Sequence, residues 1–396
     1  MMQISPEIQL FIREHSSDDV RVLALQAKKY PDIDMPTVIT QIAGRQVAAE
    51  KIPSWREIEE IWYPKHLSLE QCSSEITARY KARLLQGDSL TDLTGGFGID
   101  CSFLATGFKS ATYVERQQEL CEIAAHNFPI LNLNHINIKN EDGVTYLQAM
   151  SPVDCLFLDP ARRNEHGGKT VAISDCEPNV AELEELLLQK ANRVMIKLSP
   201  MLDLSLALKE LKQTQEVHIL SVNNECKELL ILLGQTSPAE ISIHCVNLFT
   251  KGTQKEQHFV FTREQEQCSE CTYTDSLETY LYEPNASLLK AGAFRSIAAA
   301  YPVRKLHPNS HLYTSDTFIE NFPGRIFRIV NQCSFNKKEV KENLADLKKA
   351  NVTVRNFPAT VAELRKRIHL AEGGDTYLFA STLNNGQKVI IRCEKV

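Results

Sequence analysis

The 396-residue chain has no apolar run long enough to cross a bilayer, and its opening, MMQISPEIQLFIREH, puts Glu7 and Arg13 where a secretory signal needs an uninterrupted apolar core. A cytoplasmic location is the expectation. The spacing of a disulfide or zinc framework is also missing, because the eleven cysteines are scattered singly apart from Cys268 and Cys271 in CSEC, and no second Cys-x-x-Cys accompanies that pair. Reduced thiols and no metal are expected. His307 and His311 share helical spacing but lie in HPNSH, where Pro308 argues for a loop. Positive charge is scarce too: 44 Lys/Arg against 50 Asp/Glu leave a net charge of −6, which by itself does not favour a polyanionic partner.

What is present suits a soluble globular protein, with 43% hydrophobic and 24% charged residues on a chain too long for a single ordinary core. Residues 1–87 read as a helical N-terminal domain, since PEIQLFIREH, VRVLALQAKKY, MPTVITQIAGRQVAAEKI and LEQCSSEITARYKARLL carry apolar residues at three and four spacing. YPD, PSW and YPK break them. From Asp88 short apolar runs alternate with amphipathic helical ones, which is how a parallel sheet wrapped by helices is written. The runs SLTDLT, SATYVE, INIKN, VDCLFLD and RVMIKLS each precede a helical segment, and EVHILSVNN with KELLILLG closes the series. Residues 88–234 are therefore expected to be an α/β, Rossmann-like domain of seven strands. EISIHCVNLF and EQHFVFTRE around KGTQ predict a hairpin at the start of a mixed region, 235–320. Residues 321–396 read as a small α+β domain. From Glu320 to Val396 there are 14 Lys/Arg against 8 Asp/Glu, +6, leaving −12 elsewhere, and a basic tail on an acidic body hints at nucleic acid.

The glycines of DLTGGFGID, Asp92 to Asp100, follow the first strand of this sheet. Such a turn lets the backbone approach a ligand closely while the next helix offers free N–H groups. A dinucleotide site needs Gly-x-Gly-x-x-Gly, and here the third position is Cys101, so that fingerprint fails. S-adenosylmethionine is the alternative. Its ribose needs an acceptor at the tip of the second strand, where Glu115 stands, and Asp142, after the third strand, is placed for the adenine amino group. These residues resemble class I S-adenosylmethionine-dependent methyltransferases from about Asp88 to Gly234. The resemblance implies that Asp92, Gly95, Gly96 and Gly98 hold the methionine part, Glu115 the ribose and Asp142 the adenine, and that a seventh strand closes the sheet as a hairpin against the sixth.

VDCLFLDPARR sets Asp159 and Pro160 just past the fourth strand, on the edge where open α/β sheets bind ligands. It is similar to the Asp/Asn/Ser-Pro-Pro-aromatic motif of exocyclic-amine methyltransferases. Such an amine shares its lone pair with its ring, and acceptors on its N–H bonds localise that pair for attack. Ala161 and Arg162 depart from the motif, and an Arg can stack on a base or pair a phosphate. His166, Gly167, Gly168 and Lys169 extend that loop, long enough for a lid. Upstream, Ser73, Ser74 and Glu75 fall where the trimethylguanosine synthase group has Thr-Pro-Glu-x-Ile-Ala, though a hydroxyl followed by Glu also reads as a helix cap.

Over its whole length the chain resembles a group of bacterial methyltransferases with a helical N-terminal part, LSLEQCSSE before the core, DPAR after strand four and a THUMP-like C-terminal domain. That resemblance implies RNA modification at a base amine, with a preference for guanine N2. Lys337, Lys338, Arg365, Lys366 and Arg367 are then the candidate phosphate contacts. Two alternatives stay open: a small-molecule or protein methyltransferase, and a non-catalytic RNA-binding protein that keeps the Rossmann-like shell.

Overall fold

Strand β1 (Ser89–Asp92) is buried along most of its length and runs straight into the glycine turn, as the third strand from one edge of the larger of two main sheets. The structure is a computed structural model, in which residues 5–162, 172–236 and 238–396 are described. The strands of this sheet are β1, β2 (Ser110–Glu115), β3 (Ile136–Asn140), β4 (Val153–Leu158), β5 (Ala191–Leu198), β6 (Thr214–Val222), β7 (Glu225–Gly234), β8 (Ser242–Leu248) and β9 (Glu256–Thr262). Their order is β3-β2-β1-β4-β5-β7-β6-β8-β9. β1 to β5 pair in parallel, so the carboxyl ends of β1, β2, β4 and β5 open on one edge. The seven expected strands are all here, and the hairpin expected after Gly234 adds β8 and β9 to the same sheet, β8 parallel to β6 and antiparallel to β9. Asn223 and Asn224, both in the left-handed region (φ 49° and 68°), make the two-residue turn between β6 and β7. Two consecutive positive φ values match the right-handed twist of a hairpin.

The chain forms two compact units, residues 1–215 with 230–238 and residues 216–229 with 239–396. In the first, six helices precede the sheet: α1 (Pro6–Glu14), α2 (Val20–Leu25), α3 (Met35–Lys51), α4 (Pro53–Arg56), α5 (His66–Gln71) and α6 (Glu75–Ala82). Phe11, Leu23, Val38 and Ile42 form one apolar cluster among them. A second cluster joins Ile52, Trp55, Tyr63 and Ala78 to Phe97 and Ile99 of the glycine segment, with the Trp55 and Phe97 rings edge to face at 5.3 Å. The helices between strands are α7 (Ile99–Ala105), α8 (Gln118–Ile130), α9 (Gly143–Ala149), α10 (Val180–Lys190) and α11 (Leu204–Glu210). Asn179 and Asp203 start α10 and α11 by accepting the free N–H groups of Ala181 and Leu206.

In the second unit a seven-stranded sheet holds β10 (Tyr280–Pro284), β11 (Arg304–Lys305), β12 (Tyr313–Ser315), β13 (Gly324–Ser334), β14 (Asn351–Val354), β15 (Thr376–Thr382) and β16 (Lys388–Lys395), in the order β11-β12-β10-β13-β16-β15-β14. The mixed region thus shares a sheet with the C-terminal segment. Helices Lys337–Leu344 and Val361–Ile368 bury Val340, Leu344 and Leu364 against Leu378 and Ile390. Asn336 caps the first, and Thr360 with Glu363 forms a reciprocal capping box on the second. All eleven cysteines are free thiols, and among the described residues no helix is long and apolar enough to cross a membrane.

Candidate active site

Asp92 closes β1 with only 1% of its surface exposed. Its Oδ1 accepts the Thr94 N–H at 3.0 Å, while Oδ2 is buried with no hydrogen-bond partner among the described residues. Burial pushes the carboxyl up to about 8, helped by the charges of Asp100, Asp159 and Glu115 and opposed by the Thr94 N–H. The turn then passes so close to Tyr113 that a Cβ on Gly95 would lie 2.2 Å from the ring. Gly96 and Gly98 take left-handed φ values of 54° and 88°, which spare the turn a side-chain clash. Glu115, buried at the tip of β2, accepts the Gly96 N–H at 2.9 Å through Oε2 and the Gln117 N–H at 2.8 Å through Oε1. The Tyr113 hydroxyl donates to the Gly96 carbonyl at 2.5 Å. Turn and acid are therefore locked together.

Asp142 caps α9, its Oδ1 accepting the N–H groups of Val144 and Thr145 at 3.0 Å each, and its side chain is exposed. The start of α9 lies against the exit of β1, since a Cβ on Gly143 would fall 2.2 Å from the Leu93 carbonyl oxygen.

Beyond β4, the Asp159 N–H donates to the Thr94 hydroxyl at 2.6 Å, which ties the DPAR segment to the glycine turn. Pro160 is buried beside it. Asp159 Oδ2 meets Lys197 Nζ at 2.5 Å, and Lys197 comes from the end of β5. Lys197 Nζ also reaches Asp100 Oδ2 at 3.4 Å and the Ser73 hydroxyl at 3.1 Å. Behind it Lys81, fully buried on α6, contacts Asp100 Oδ1 at 2.8 Å and donates to Ser73 at 2.7 Å. Ser73 in turn donates to Asp100 Oδ2 at 2.7 Å. The result is a row of alternating charges: Lys81, Asp100, Lys197, Asp159. Burial raises the Asp100 carboxyl, but Lys81 and Lys197 outweigh it and hold the group at about 2. For Asp159 burial wins over the Lys197 charge and the carboxyl lies above its ordinary range.

Asp92, Gly95, Gly96, Gly98, Glu115 and Asp159 thus meet at one edge of the sheet. Ala161–Arg162 forms a two-residue antiparallel pairing with Cys176–Glu177, and Arg162 is described by its backbone alone. Arg163, His166, Gly167, Gly168 and Lys169 lie outside the described residues. The helix start expected at Ser73 to Glu75 is present, but the cap bond expected there is corrected. Ser74 is the residue before α6, yet its hydroxyl makes no cap and lies 3.2 Å from the Thr77 hydroxyl, while the Glu75 carboxylate accepts the Ser54 N–H at 2.8 Å. Ser73 joins the charge row instead. Lys81, Asp100 and Lys197 are the members sequence reasoning passed over, although Lys197 is the one charge in the apolar run VMIKL.

Comparison with known proteins agrees with this geometry. No curated protein sequence matches the chain. A ferredoxin-like domain model matches residues 280–323 and a THUMP domain-like model matches residues 324–395. Among solved structures, a chain from Porphyromonas gingivalis W83, provisionally described as a methyltransferase, is 34% identical over 100% of both chains with a TM-score of 0.87. An rRNA methylase from Streptococcus thermophilus and a Streptococcus mutans protein in complex with SAH are each 13% identical over 40% of this chain, and 93% and 96% of theirs, at TM-scores of 0.30 that carry no argument. Full-length identity to the Porphyromonas chain, the order of the sheet and the C-terminal match agree, and the protein belongs to the bacterial class I S-adenosylmethionine-dependent methyltransferases with a C-terminal THUMP-like domain.

Proposed function

We propose that the protein is an active enzyme that takes a methyl group from S-adenosylmethionine and places it on an exocyclic amine of an RNA base, with guanine N2 the preferred atom. The observation that carries this reading is the convergence of three acids on one glycine turn: Asp92 within it, Glu115 bonded to Gly96, and Asp159 bonded through its N–H to Thr94.

The residues fit the cofactor. Asp92 Oδ2, without a hydrogen-bond partner among the described residues, becomes an acceptor when a cationic donor such as the methionine ammonium favours the ionised carboxylate, and each Glu115 oxygen uses one lone pair on a backbone N–H and keeps one for a ribose hydroxyl. Asp142 stands for the adenine amino group. When bound, the cofactor supplies an electrophilic methyl carbon on a sulfonium. Asp159 Oδ2 is held by Lys197, which leaves Oδ1, with the Pro160 carbonyl, to accept N–H bonds from the substrate amine and localise its lone pair. As the new C–N bond forms, the methyl C–S bond breaks with its electron pair leaving on sulfur as a neutral thioether, and the nitrogen sheds a proton to Asp159, whose raised affinity for protons suits that task. Arg162 is assigned to the incoming base or its phosphate.

RNA as substrate draws support from the C-terminal domain. Several of its basic residues are committed to ion pairs, Arg325 and Arg355 with buried Glu283 and Arg392 with Asp346, and Arg365 donates to the Ala350 carbonyl. Lys337, Lys338 and Lys366 are exposed and remain for phosphates, as does exposed Arg367, whose guanidinium lies over the Phe335 ring at 4.1 Å. The deciding experiment is labelled methyl transfer to total RNA from a strain lacking the protein, followed by nucleoside analysis. Label in an N-methylated base supports the proposal; label in protein or a small molecule replaces the substrate, and failure of calorimetry to detect S-adenosylmethionine binding leaves only a non-catalytic shell.

A further inference from the structure

The second unit carries a row of imidazoles that the methyl-transfer chemistry does not use. Glu216 and His218 lie on β6, His244 on β8 and His258 on β9. His218 and His244 are direct partners across the parallel pair, and His258 faces Val246, one same-face position along from His244, so the alternation of side chains puts all four groups on one face. The rings of His218 and His244 stack with centroids 4.3 Å apart, and those of His244 and His258 with centroids 5.3 Å apart. His218 Nε2 lies 3.3 Å from Glu216 Oε2, and His244 Nδ1 lies 3.1 Å from His258 Nε2. One ligand atom each from Glu216, His218 and His244 falls within 4.8 Å of the others. The row runs from His218, buried, through half-buried His244 to exposed His258, so an ion can enter from solvent.

Two imidazoles and a carboxylate at such separations can share one ion once the stacked rings of His218 and His244, 15° apart in plane, tilt to aim their in-plane lone pairs at it. Imidazole nitrogens with one carboxylate suit zinc, nickel or copper and suit magnesium or calcium poorly. With Nδ1 of His244 engaged by His258, its Nε2 is the nitrogen left for a metal, and a ligand histidine held through its other nitrogen is the usual outer-shell arrangement.

We propose that Glu216, His218 and His244 form a binding site for one divalent transition-metal ion of zinc's class, with His258 orienting His244. The site joins β6 to β8 and is independent of the methyl-transfer reading.

The test uses the full chain, stripped of metal by chelation and titrated with Co²⁺ and then Zn²⁺. One equivalent of Co²⁺ should bind, with the visible bands of nitrogen and oxygen ligation and no sulfur charge-transfer band, and Zn²⁺ should displace it and raise the melting temperature. Glu216→Gln and His244→Gln, at half-buried positions, should each weaken binding about tenfold or more while circular dichroism reports an intact fold. Cys268→Ser with Cys271→Ser should leave uptake unchanged. No saturable uptake, a sulfur band that disappears in the cysteine variant, or unaltered affinity in both Glu216→Gln and His244→Gln overturns the site.

Discussion

Replacing Asp92 by Asn should stabilise the cofactor-free protein while weakening its hold on cofactor. A carboxyl whose folded value, about 8, lies above its ordinary 3.8 binds protons more tightly when folded. The native state then holds more protons than the unfolded chain between those values, so stability is fully present below about pH 3.8 and is lost as pH rises toward about 8. Over the roughly three pH units from the ordinary value to neutrality, at about 1.4 kcal/mol each, the upper limit of that loss is roughly 4 kcal/mol. Asparagine keeps the acceptor for the Thr94 N–H and cannot ionise, so it escapes this penalty. Calorimetric melting from pH 5 to pH 8.5 should show the native protein falling progressively below Asp92→Asn, by several degrees at neutrality. Titration with S-adenosylmethionine should show the reverse order, with the variant binding more weakly by about 1.5–3 kcal/mol for the missing charged hydrogen bond. Parallel melting curves across that range would refute the reasoning, because they would mean that Asp92 ionises in the fold without cost.

Glu115→Ala should weaken S-adenosylmethionine by at least about 1.5–3 kcal/mol in calorimetry, since it removes the acceptor proposed for the ribose, and unchanged affinity would sink that role. Asp159→Asn should bind cofactor nearly normally and stop transfer; full turnover would remove the amine mechanism. Reversing charge with Lys366→Glu and Arg367→Glu should weaken RNA binding and flatten its dependence on the logarithm of salt by about 0.7–0.9 for each phosphate that no longer has a cation beside it. Identical slopes would free those residues from the task.

Local signals made most of the fold legible. Apolar runs such as VDCLFLD and LLILLG become β4 and β7 because strands covered on both faces are written as unbroken apolar stretches, and the glycines of the turn announce a close backbone approach. The hairpin of β7 against β6 came through the family resemblance, and the insertion of β7 between β5 and β6 came only with the fold. What stayed illegible depends on contacts distant in sequence. Lys81 reads as one charge on a helix, and only folding brings it to Asp100 and, through that carboxylate, to Lys197. His218, His244 and His258 lie 26 and 14 residues apart with no ligand-like spacing, and they meet because β6, β8 and β9 are laid side by side. The absence of zinc-finger spacing supported the expectation of no metal and could say nothing about a site built across strands. The count of seven strands followed from the alternating apolar runs, while the register that adds β8 and β9 to the sheet is a tertiary outcome.

Lys197 decides what kind of group Asp159 is. Burial and the nearby Asp100 charge both push Asp159 toward its protonated form, and the Lys197 ammonium 2.5 Å away is the first force opposing them. A protonated Asp159 could donate to an amine but could not draw on its N–H bonds, so the proposed chemistry requires the pair. Lys197→Met keeps the length of the side chain and removes the charge, leaving Asp100 to Lys81 and taking from Asp159 the cation beside it. Breaking a fully buried pair by removing one partner costs about 3–5 kcal/mol, and because the Asp159 side chain is 36% exposed the loss here is smaller, though urea unfolding should register it. A structural role alone would account for that loss, so the pH profile is the discriminating measurement. Without the cation Asp159 ionises at higher pH, and the acidic limb of methyl transfer should move to the alkaline side, with Lys197→Arg restoring part of the original position. Transfer by Lys197→Met with an unmoved acidic limb would mean that Asp159 does not act as a carboxylate here.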